Sequence, residues 1–291
     1  MPDTAQNWLS VDIGHALADI AVLCPDGAVI GQSRVRAQAP MTPAQLAALV
    51  KDARAAWPLT PAGPVVVCGA MAGPDARSVP CTPLPDVPVA TACDDAPGVM
   101  HVIPELVDAG ASGLRSGGAE TRAAGFLAWQ PQFDGVLCVV SAGTTLWMQV
   151  SAGEVVSFRG FLTLRMGAAL GPQLGVAQIG ATGAQALDAA QVADTASQTL
   201  SRPEALMTRL SQLPSGAAGE AVLLGALIGA EMAAARPWWL GQSVALIAPD
   251  GAAGDAYAAA LGAQGGAPVR VEEGRMARLG LGAAHAALSR G

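Results

Sequence analysis

The sequence is poor in charged side chains, and lysine is nearly missing from it. Charged residues make up 13% of the 291 positions, the formal net charge is −7, and Lys51 is the single lysine. Proteins that bind nucleic acids through their phosphates carry clusters of lysine and arginine. The composition therefore disfavours a nucleic-acid partner, and no lysine other than Lys51 can serve a phosphate.

Cysteine and histidine are also scarce, and their spacing excludes two kinds of site. The five cysteines are odd in number and form no Cys-x-x-Cys pair, so neither a disulfide framework nor a zinc centre is expected. His15, His101 and His285 lie in three separate regions. One histidine per region gives no basis for a metal site.

Long apolar runs are missing as well. The most apolar stretch, residues 221–235, is interrupted by Glu231, and it is too short and too rich in alanine and glycine for a bilayer span. Residues 1–7 have no basic flank and no long apolar segment, so no signal peptide is expected. We therefore expect a cytoplasmic protein without a membrane partner.

What the sequence does contain is a repeated pattern of short apolar runs. Hydrophobic residues make up 52% of the chain, and its length suits two domains of ordinary size. The first half predicts a three-strand antiparallel meander, then a helix with Thr42 as its N-cap, then a buried parallel strand. The predicted strands are two runs within 8–23, then 28–35, 65–68 and 99–103, and the predicted helices are 42–57 and 120–130.

The same order of elements restarts after the break at residues 131–135. Predicted strands at 136–140, 146–150 and 154–161 precede helices from residue 187 onward, a buried strand at 244–248 and a final helix at 276–289. The repeat predicts two related α/β domains, 1–132 and 133–291, facing each other across a cleft, where ligands usually bind. Whether the last helix packs back on the first domain is left open, and the alternative is one doubly wound sheet with an insertion.

Tight turns at the start of each half carry residues suited to phosphate. In the first turn Gly14 lets backbone N–H groups approach a phosphate, and the neighbouring Asp12 could hold Mg²⁺ through water. The second turn, residues 141–145, offers hydroxyl and N–H donors, so the two turns together predict a phosphate clamp. A third loop, which contains Gly251, could lie under a base and ribose, although an ordinary connection is the simpler interpretation.

Seven stretches, in the same order and over nearly the whole chain, resemble the 2-dehydro-3-deoxygalactonokinase family. They are Val-Asp-Ile-Gly at 11–14, Gly-Ala-Met-Ala-Gly at 69–73, Ile-Pro at 103–104, Gly-Ala-Glu-Thr at 118–121, Ala-Gly-Thr at 142–144, Phe-Arg at 158–159, and Leu-Gly-Ala-Leu-Ile-Gly-Ala-Glu at 224–231. The resemblance implies two actin-like (ribonuclease-H-like) α/β domains. It also implies transfer of phosphate from ATP, with Mg²⁺, to a 2-keto-3-deoxy sugar acid of the 2-dehydro-3-deoxygalactonate type.

The resemblance also implies roles for particular residues. Asp12 is the catalytic and metal-holding candidate, and the catalytic base is left unassigned. The nucleotide is expected at Gly14, His15, Gly143, Thr144, Thr145 and Gly251. The sugar acid is expected at Gly69, Met71, Arg115, Glu120 and Arg159, because a substrate carboxylate favours an arginine and its hydroxyls favour an acceptor.

Several positions depart from the family pattern and leave two functions open. Ile13 stands where the family has a tryptophan, His15 and Ala16 replace a pair of hydroxyl residues, and Asp19 replaces an arginine. The second turn lacks the family's lysine. The alternatives are an active sugar-acid kinase and a degenerate homologue that binds a sugar acid or a protein partner without transferring phosphate. A small-molecule sugar acid and a nucleotide are the expected ligands, and a homodimer is left open.

Overall fold

The computed structural model describes residues 6–37, 40–57, 63–69, 75–91, 99–108, 113–141, 143–176 and 187–288. The chain forms two compact units. The first consists of Met1–Phe133, Ala152–Ser157 and Gly274–Gly291, and the second of Asp134–Ser151 and Phe158–Glu273. Both units are discontinuous in sequence, so they do not correspond to two uninterrupted segments. The division into 1–132 and 133–291 stays a prediction.

The described residues of the first unit form two sheets and three helices. Its strands are β1 (Trp8–Ile13), β2 (Leu17–Leu23), β3 (Val29–Arg36), β4 (Val65–Gly69), β5 (Arg77–Ser78), β6 (Val89–Thr91), β7 (Met100–Val102), β8 (Leu106–Asp108) and β9 (Leu114–Arg115). The larger sheet has the order β3-β2-β1-β4-β7-β6, and the smaller has the order β5-β8-β9. The helices are α1 (Pro43–Ala56), α2 (Ala119–Trp129) and the last helix of the chain, α9 (Glu273–Ala287).

Helix α1 begins where the sequence predicts, because a reciprocal cap closes its first turn. The Thr42 hydroxyl accepts the Gln45 N–H at 3.3 Å, and Gln45 Oε1 accepts the Thr42 N–H at 2.9 Å. Pro43 occupies the first helical position, where no backbone N–H is needed. Leu46 and Val50 of this helix belong to the core cluster on one face of the large sheet.

The second unit has one sheet covered by helices. Its strands are β10 (Gly135–Val140), β11 (Thr145–Ser151), β12 (Glu154–Phe161, of which the part from Phe158 onward is in this unit), β13 (Val244–Ala248) and β14 (Val269–Glu272), and the sheet has the order β12-β11-β10-β13-β14. The helices are α3 (Thr163–Gln173), α4 (Ala189–Ser201), α5 (Leu206–Leu210), α6 (Ala217–Ala234), α7 (Arg236–Trp239) and α8 (Ala252–Gly262).

The two larger sheets repeat one arrangement, which confirms the predicted restart of the meander. In each, three strands that follow one another in sequence lie side by side, and later strands extend the sheet from the first of the three: β4, β7 and β6 in the first unit, and β13 and β14 in the second. The later strands pair in parallel: β1 with β4, β4 with β7, β10 with β13, and β13 with β14. Carboxyl ends of parallel strands meet at one edge, so the loops after them are neighbours.

Helix α6 is long and apolar enough to cross a membrane by length and composition, so the expectation that this stretch is too short is wrong on that criterion. In the folded unit 61% of the helix is buried. A Cβ added at Gly225 would lie 2.7 Å from the Val192 carbonyl oxygen, and one at Gly229 would lie 2.4 Å from that of Ala196. These glycines let α4 pack closely, so burial in the core accounts for the apolar character of α6.

Candidate functional site

Three backbone segments of the first unit converge where β1 and β4 end. Ile13 pairs with Gly69 in the parallel register. Gly69 has a φ of +97°, and a Cβ there would lie 2.1 Å from the Ile13 carbonyl oxygen. Gly118, in the turn before α2, has a φ of +94°, and its Cβ would lie 3.2 Å from the Gly69 Cα. Glycine is required at both positions for conformation and for space.

Asp12, the predicted catalytic residue, is held at this edge by an arginine that the sequence did not single out. Arg122 Nη1 donates to Asp12 Oδ1 at 3.0 Å, and Nη2 donates to Oδ2 at 2.6 Å. The two side chains are only 9% and 12% exposed. Arg122 Nη1 also donates to the Gly118 carbonyl at 3.1 Å. The ion pair therefore ties the end of β1 to the turn before α2, with two-point geometry that fixes the carboxylate plane.

The contacts of Asp12 decide what this carboxylate can still bind. Oδ1 accepts from Arg122 and from the Cys68 thiol at 3.3 Å, whereas Oδ2 has Arg122 as its donor among the described residues. Since a carboxylate oxygen accepts about two hydrogen bonds, Oδ2 retains one acceptor position within the described part of the chain.

Asp12 does not fit as a direct ligand of Mg²⁺ in this arrangement, because the arginine charge lies against both carboxylate oxygens. The residues that the structure describes also contain no cluster of three or more histidine, cysteine, aspartate or glutamate side chains that could hold a metal ion. The metal-holding role of Asp12 stays a prediction.

Glu120, a predicted sugar-acid contact, is fully buried and organises the turn before α2. Its Oε2 accepts from the Ser116 hydroxyl at 2.5 Å and from the Gly118 N–H at 3.1 Å, and its Oε1 accepts from the Thr121 hydroxyl at 3.0 Å. Burial raises the pKa of Glu120, while the hydrogen bond from Ser116 opposes that rise. Its contact with a sugar acid stays a prediction, and its observed partners are all in the protein.

The other predicted sugar-acid residues lie in different surroundings. Arg115 Nε donates to Glu105 Oε2 at 2.6 Å, and Glu105 Oε1 accepts the Gly117 N–H at 2.8 Å. The Arg115 side chain is 45% exposed, so solvent reaches it beside the same turn. Arg159 is an exposed residue of β12. Met71 lies outside the described residues.

In the first turn, one backbone N–H group that was expected at a phosphate makes a hydrogen bond within the turn. The Gly14 N–H donates to the Leu17 carbonyl at 2.8 Å, and His15 at the tip is exposed. Asp19 is not an uncompensated charge, because Arg34 donates to both of its carboxylate oxygens at 2.6 and 3.0 Å. The negative charge that replaces the family's arginine is therefore paired on the sheet surface.

Two predicted nucleotide segments lie at one edge of the second unit's sheet. Val139 of β10 pairs in parallel with Ile247 of β13, so the turn after β10 and the loop after β13 emerge together. Ser141 Oγ accepts the Thr144 N–H at 3.2 Å and donates to the Thr144 carbonyl at 2.8 Å. Thr144 and its neighbour Gly143 are half-buried. This serine fixes the turn in one compact conformation.

Gly251 begins helix α8 in a conformation and a space that suit a ligand. Its φ is +99°, and a Cβ there would meet no atom within 4 Å. The first backbone N–H groups of an 11-residue helix follow directly, and they and the helix dipole favour an anion. The described residues of this edge therefore fit a nucleotide with its phosphates near the turn after β10 and the start of α8.

Thr145 differs from the expectation that its hydroxyl faces a phosphate. It is 1% exposed, and its Oγ1 lies 2.9 Å from the Tyr257 hydroxyl, which donates to Glu231 Oε2 at 2.6 Å. The Thr163 hydroxyl donates to the same oxygen, and Trp147 Nε1 donates to Glu231 Oε1 at 2.8 Å. Burial raises the pKa of Glu231 to about 6, and these hydrogen bonds oppose the rise.

Sequence reasoning missed Arg122 and Glu231 as site residues. Arg122 stands four positions after Gly118, one helical turn along α2, so its side chain can reach back to the turn. Glu231 is an acidic residue inside an otherwise apolar helix, and such a residue is costly to bury unless it is hydrogen-bonded. In the sequence, Glu231 stands out as an interruption of the apolar run and as the end of the family-like stretch 224–231.

Comparison with known proteins yields one family and several similar structures. The family model described as 2-keto-3-deoxy-galactonokinase matches residues 13–284. A protein from Sinorhizobium meliloti assigned as a 2-dehydro-3-deoxygalactonokinase has a TM-score of 0.80 at 21% identity, over 95% of each chain. No curated protein sequence matches this chain.

Two further structures share the architecture at lower similarity. The activator of 2-hydroxyisocaproyl-CoA dehydratase from Clostridium difficile, with bound ADPNP, has a TM-score of 0.52 at 10% identity, over 98% of this chain and 95% of its own. Component A of (R)-2-hydroxyglutaryl-CoA dehydratase from Acidaminococcus fermentans has a TM-score of 0.51 at 11% identity, over 98% of both chains. The predicted fold class, two actin-like α/β domains, is confirmed.

Proposed function

The chain belongs to the 2-keto-3-deoxy-galactonokinase family, whose model matches residues 13–284, and from this premise we propose that it transfers the terminal phosphate of ATP to a 2-keto-3-deoxy sugar acid. The sugar acid is of the 2-dehydro-3-deoxygalactonate type. The family match confirms the resemblance seen in the sequence and supports kinase activity on a keto-deoxy sugar acid.

The observation that carries the proposal is the collection of candidate residues at equivalent strand ends. In the first unit, Asp12, Gly69 and the turn before α2 meet where β1 and β4 end. In the second unit, the turn after β10 and the loop before α8 meet where β10 and β13 end. Ligands of open α/β sheets bind beyond the carboxyl ends of the strands, and both sets of residues lie there.

Asp12 is the reacting group in this proposal, and Arg122 is its positioning partner. The open acceptor position on Asp12 Oδ2 is available for the proton of the substrate hydroxyl that attacks the phosphate. Arg122 holds the carboxylate plane, and phosphoryl transfer depends more on such positioning than on covalent participation. Arg115, half-exposed at the same turn, supplies the cation for the substrate carboxylate.

The second unit holds the nucleotide. The turn containing Gly143 and Thr144 and the start of α8 at Gly251 supply backbone N–H groups for the phosphates. Mg²⁺ would supply charge neutralisation when it accompanies a nucleotide; the described residues contain no cluster of three or more histidine, cysteine, aspartate or glutamate side chains that could hold it, and no step is assigned to it. A cytoplasmic location and small-molecule ligands complete the proposal, with a homodimer left open.

One set of observations favours the alternative, a homologue that binds a sugar acid and transfers phosphate slowly or not at all. The Gly14 N–H is used by Leu17, and the Thr145 hydroxyl is used by Tyr257. Both were expected to serve a phosphate. Each lost donor weakens the stabilisation of charge in the transition state.

A coupled ADP-release assay with a panel of 2-keto-3-deoxy sugar acids separates the two functions. The kinase proposal predicts ADP release that depends on one sugar acid and that falls at least about 100-fold in Asp12→Asn, as expected for loss of a positioned acid–base group. Sugar-acid binding by calorimetry without ADP release would support the alternative. If the protein neither binds a sugar acid nor releases ADP, both functions are contradicted.

A further inference from the structure

A buried network of five polar side chains lies behind the candidate nucleotide edge of the second unit. Its members are Thr145 (1% exposed), Trp147 (0%), Thr163 (5%), Glu231 (3%) and Tyr257 (0%). Each member hydrogen-bonds to another member. Buried polar groups are costly unless they are satisfied, and a fully satisfied network fixes one arrangement of the elements that carry it.

The direction of the hydrogen bonds follows from what each group can donate. Glu231 accepts from Trp147 Nε1 at 2.8 Å and from the Tyr257 hydroxyl at 2.6 Å. Because Tyr257 has one proton and gives it to Glu231, the Thr145 hydroxyl must be the donor in its 2.9 Å contact with Tyr257. The chain of donors therefore runs from Thr145 through Tyr257 to Glu231.

The network links the two elements that lead into the candidate nucleotide segments. Thr145 is the first residue of β11 and directly follows the turn that contains Gly143 and Thr144. Tyr257 is in α8, whose first turn follows Gly251. A single contact between two hydroxyls therefore ties β11 to α8. Strand β11 follows the phosphate turn, residues 141–145, and α8 begins directly after Gly251.

We propose that Glu231 is a positioning residue for nucleotide binding, and that it acts through Tyr257 on Thr145 to hold the phosphate turn and the start of α8 at a fixed separation. The inference rests on the proposed function, because it takes these two segments as the nucleotide site. Glu231 does not touch the nucleotide. It orients the Tyr257 hydroxyl, and Tyr257 in turn holds the side chain that anchors the turn.

The test measures the dissociation constant of ATP by calorimetry for wild type, Tyr257→Phe, Thr145→Val and the double variant. Loss of one well-oriented hydrogen bond changes an equilibrium constant by roughly five- to tenfold, so each single variant should bind ATP about five- to tenfold more weakly. Because both changes break the same link, the double variant should bind no more weakly than the single variants. Glu231→Gln should show a similar loss, since both carboxylate oxygens accept hydrogen bonds and a glutamine has only one oxygen, so its NH2 group must face a donor.

A control separates positioning from general loss of stability. Trp239→Phe removes a buried 2.8 Å hydrogen bond from Trp239 Nε1 to the Met232 carbonyl in the same core, outside the network. It should lower the melting temperature about as much as Tyr257→Phe and leave the ATP dissociation constant within twofold of wild type, roughly the error of such a comparison. Thr145→Ser, which keeps the hydroxyl, should retain wild-type affinity.

The outcomes distinguish this inference from the function on which it rests. If wild type binds ATP and Tyr257→Phe binds it with the same affinity, the positioning role is overturned and the kinase proposal stays intact. Equal losses of ATP affinity in Tyr257→Phe and Trp239→Phe would have the same meaning. Additive losses in the double variant would also overturn the positioning role. No ATP binding by wild type would overturn the nucleotide site and the inference together.

Discussion

Removing the arginine of the Asp12–Arg122 pair should destabilise the first unit far more than removing an arginine from a surface pair. In Arg122→Met the side chain is of similar length, but the Asp12 charge loses its two arginine donors in a place where Asp12 is only 12% exposed. Breaking a buried pair from one side costs about 3–5 kcal/mol. In a unit of this size that corresponds to a fall of at least about 6 °C in melting temperature.

The chain supplies a matched control in Arg34→Met. Arg34 also binds both oxygens of an aspartate, Asp19, but the two side chains are 65% and 51% exposed. Exposed pairs contribute about 0–1 kcal/mol, so this variant should unfold within about 4 °C of wild type.

A double variant tests whether the cost comes from the unpaired charge. Asp12→Asn together with Arg122→Met should be more stable than Arg122→Met alone, because the amide can be buried without a counter-ion. Urea unfolding and differential scanning calorimetry measure wild type, the three single variants Arg122→Met, Arg34→Met and Asp12→Asn, and the double variant. Equal effects of Arg122→Met and Arg34→Met, or simple additivity in the double variant, would refute the argument that a buried ion pair fixes Asp12.

Two further predictions concern stability. Burial raises the pKa of Glu231 from 4.5 to about 6, so the folded protein binds more protons than the unfolded chain between these pH values. Its contribution to stability is full below about pH 4.5 and falls by about 2 kcal/mol as the pH rises through 6; urea unfolding across this range should show the slope in wild type and not in Glu231→Gln. Gly69→Ala should abolish soluble folded protein or lower stability by more than about 3 kcal/mol, because its Cβ would lie 2.1 Å from the Ile13 carbonyl oxygen. Gly153→Ala, with a φ of +79° and no atom within 4 Å of the added carbon, should cost only about 1 kcal/mol, and equal losses in the two alanine variants would contradict the steric argument.

Most elements of the fold could be predicted from the sequence because their signals are local. The run at 65–68 is continuously apolar and becomes a wholly buried strand. Thr42 followed by Pro43 predicts the start of α1, which has the expected cap. The restart of the meander after residue 135 follows from the same spacing of apolar runs and turns in both halves. Each of these patterns depends on neighbours within a few residues.

The candidate site was less predictable because its contacts join distant parts of the chain. Arg122 and Asp12 are 110 positions apart, and Tyr257 and Thr145 are 112 apart. In both pairs, the sequence around one residue gives no local signal of its partner. Motif reasoning placed the Thr145 hydroxyl at a phosphate, whereas burial and the nearby tyrosine turn it inward. The partner of Asp19, Arg34, was not predictable either, because it is set by the register between β2 and β3.

Direct detection of the phosphorylated product tests the central claim most closely. The chain is incubated with ATP, Mg²⁺ and 2-dehydro-3-deoxygalactonate, and mass spectrometry follows the sugar acid while phosphorus-31 NMR follows the new phosphate ester. The account predicts a product that carries one added phosphate group, formed in step with ADP and reduced at least about 100-fold in Asp12→Asn. ADP formed without a phosphorylated sugar acid, or product formed equally by the Asp12→Asn variant, would contradict it.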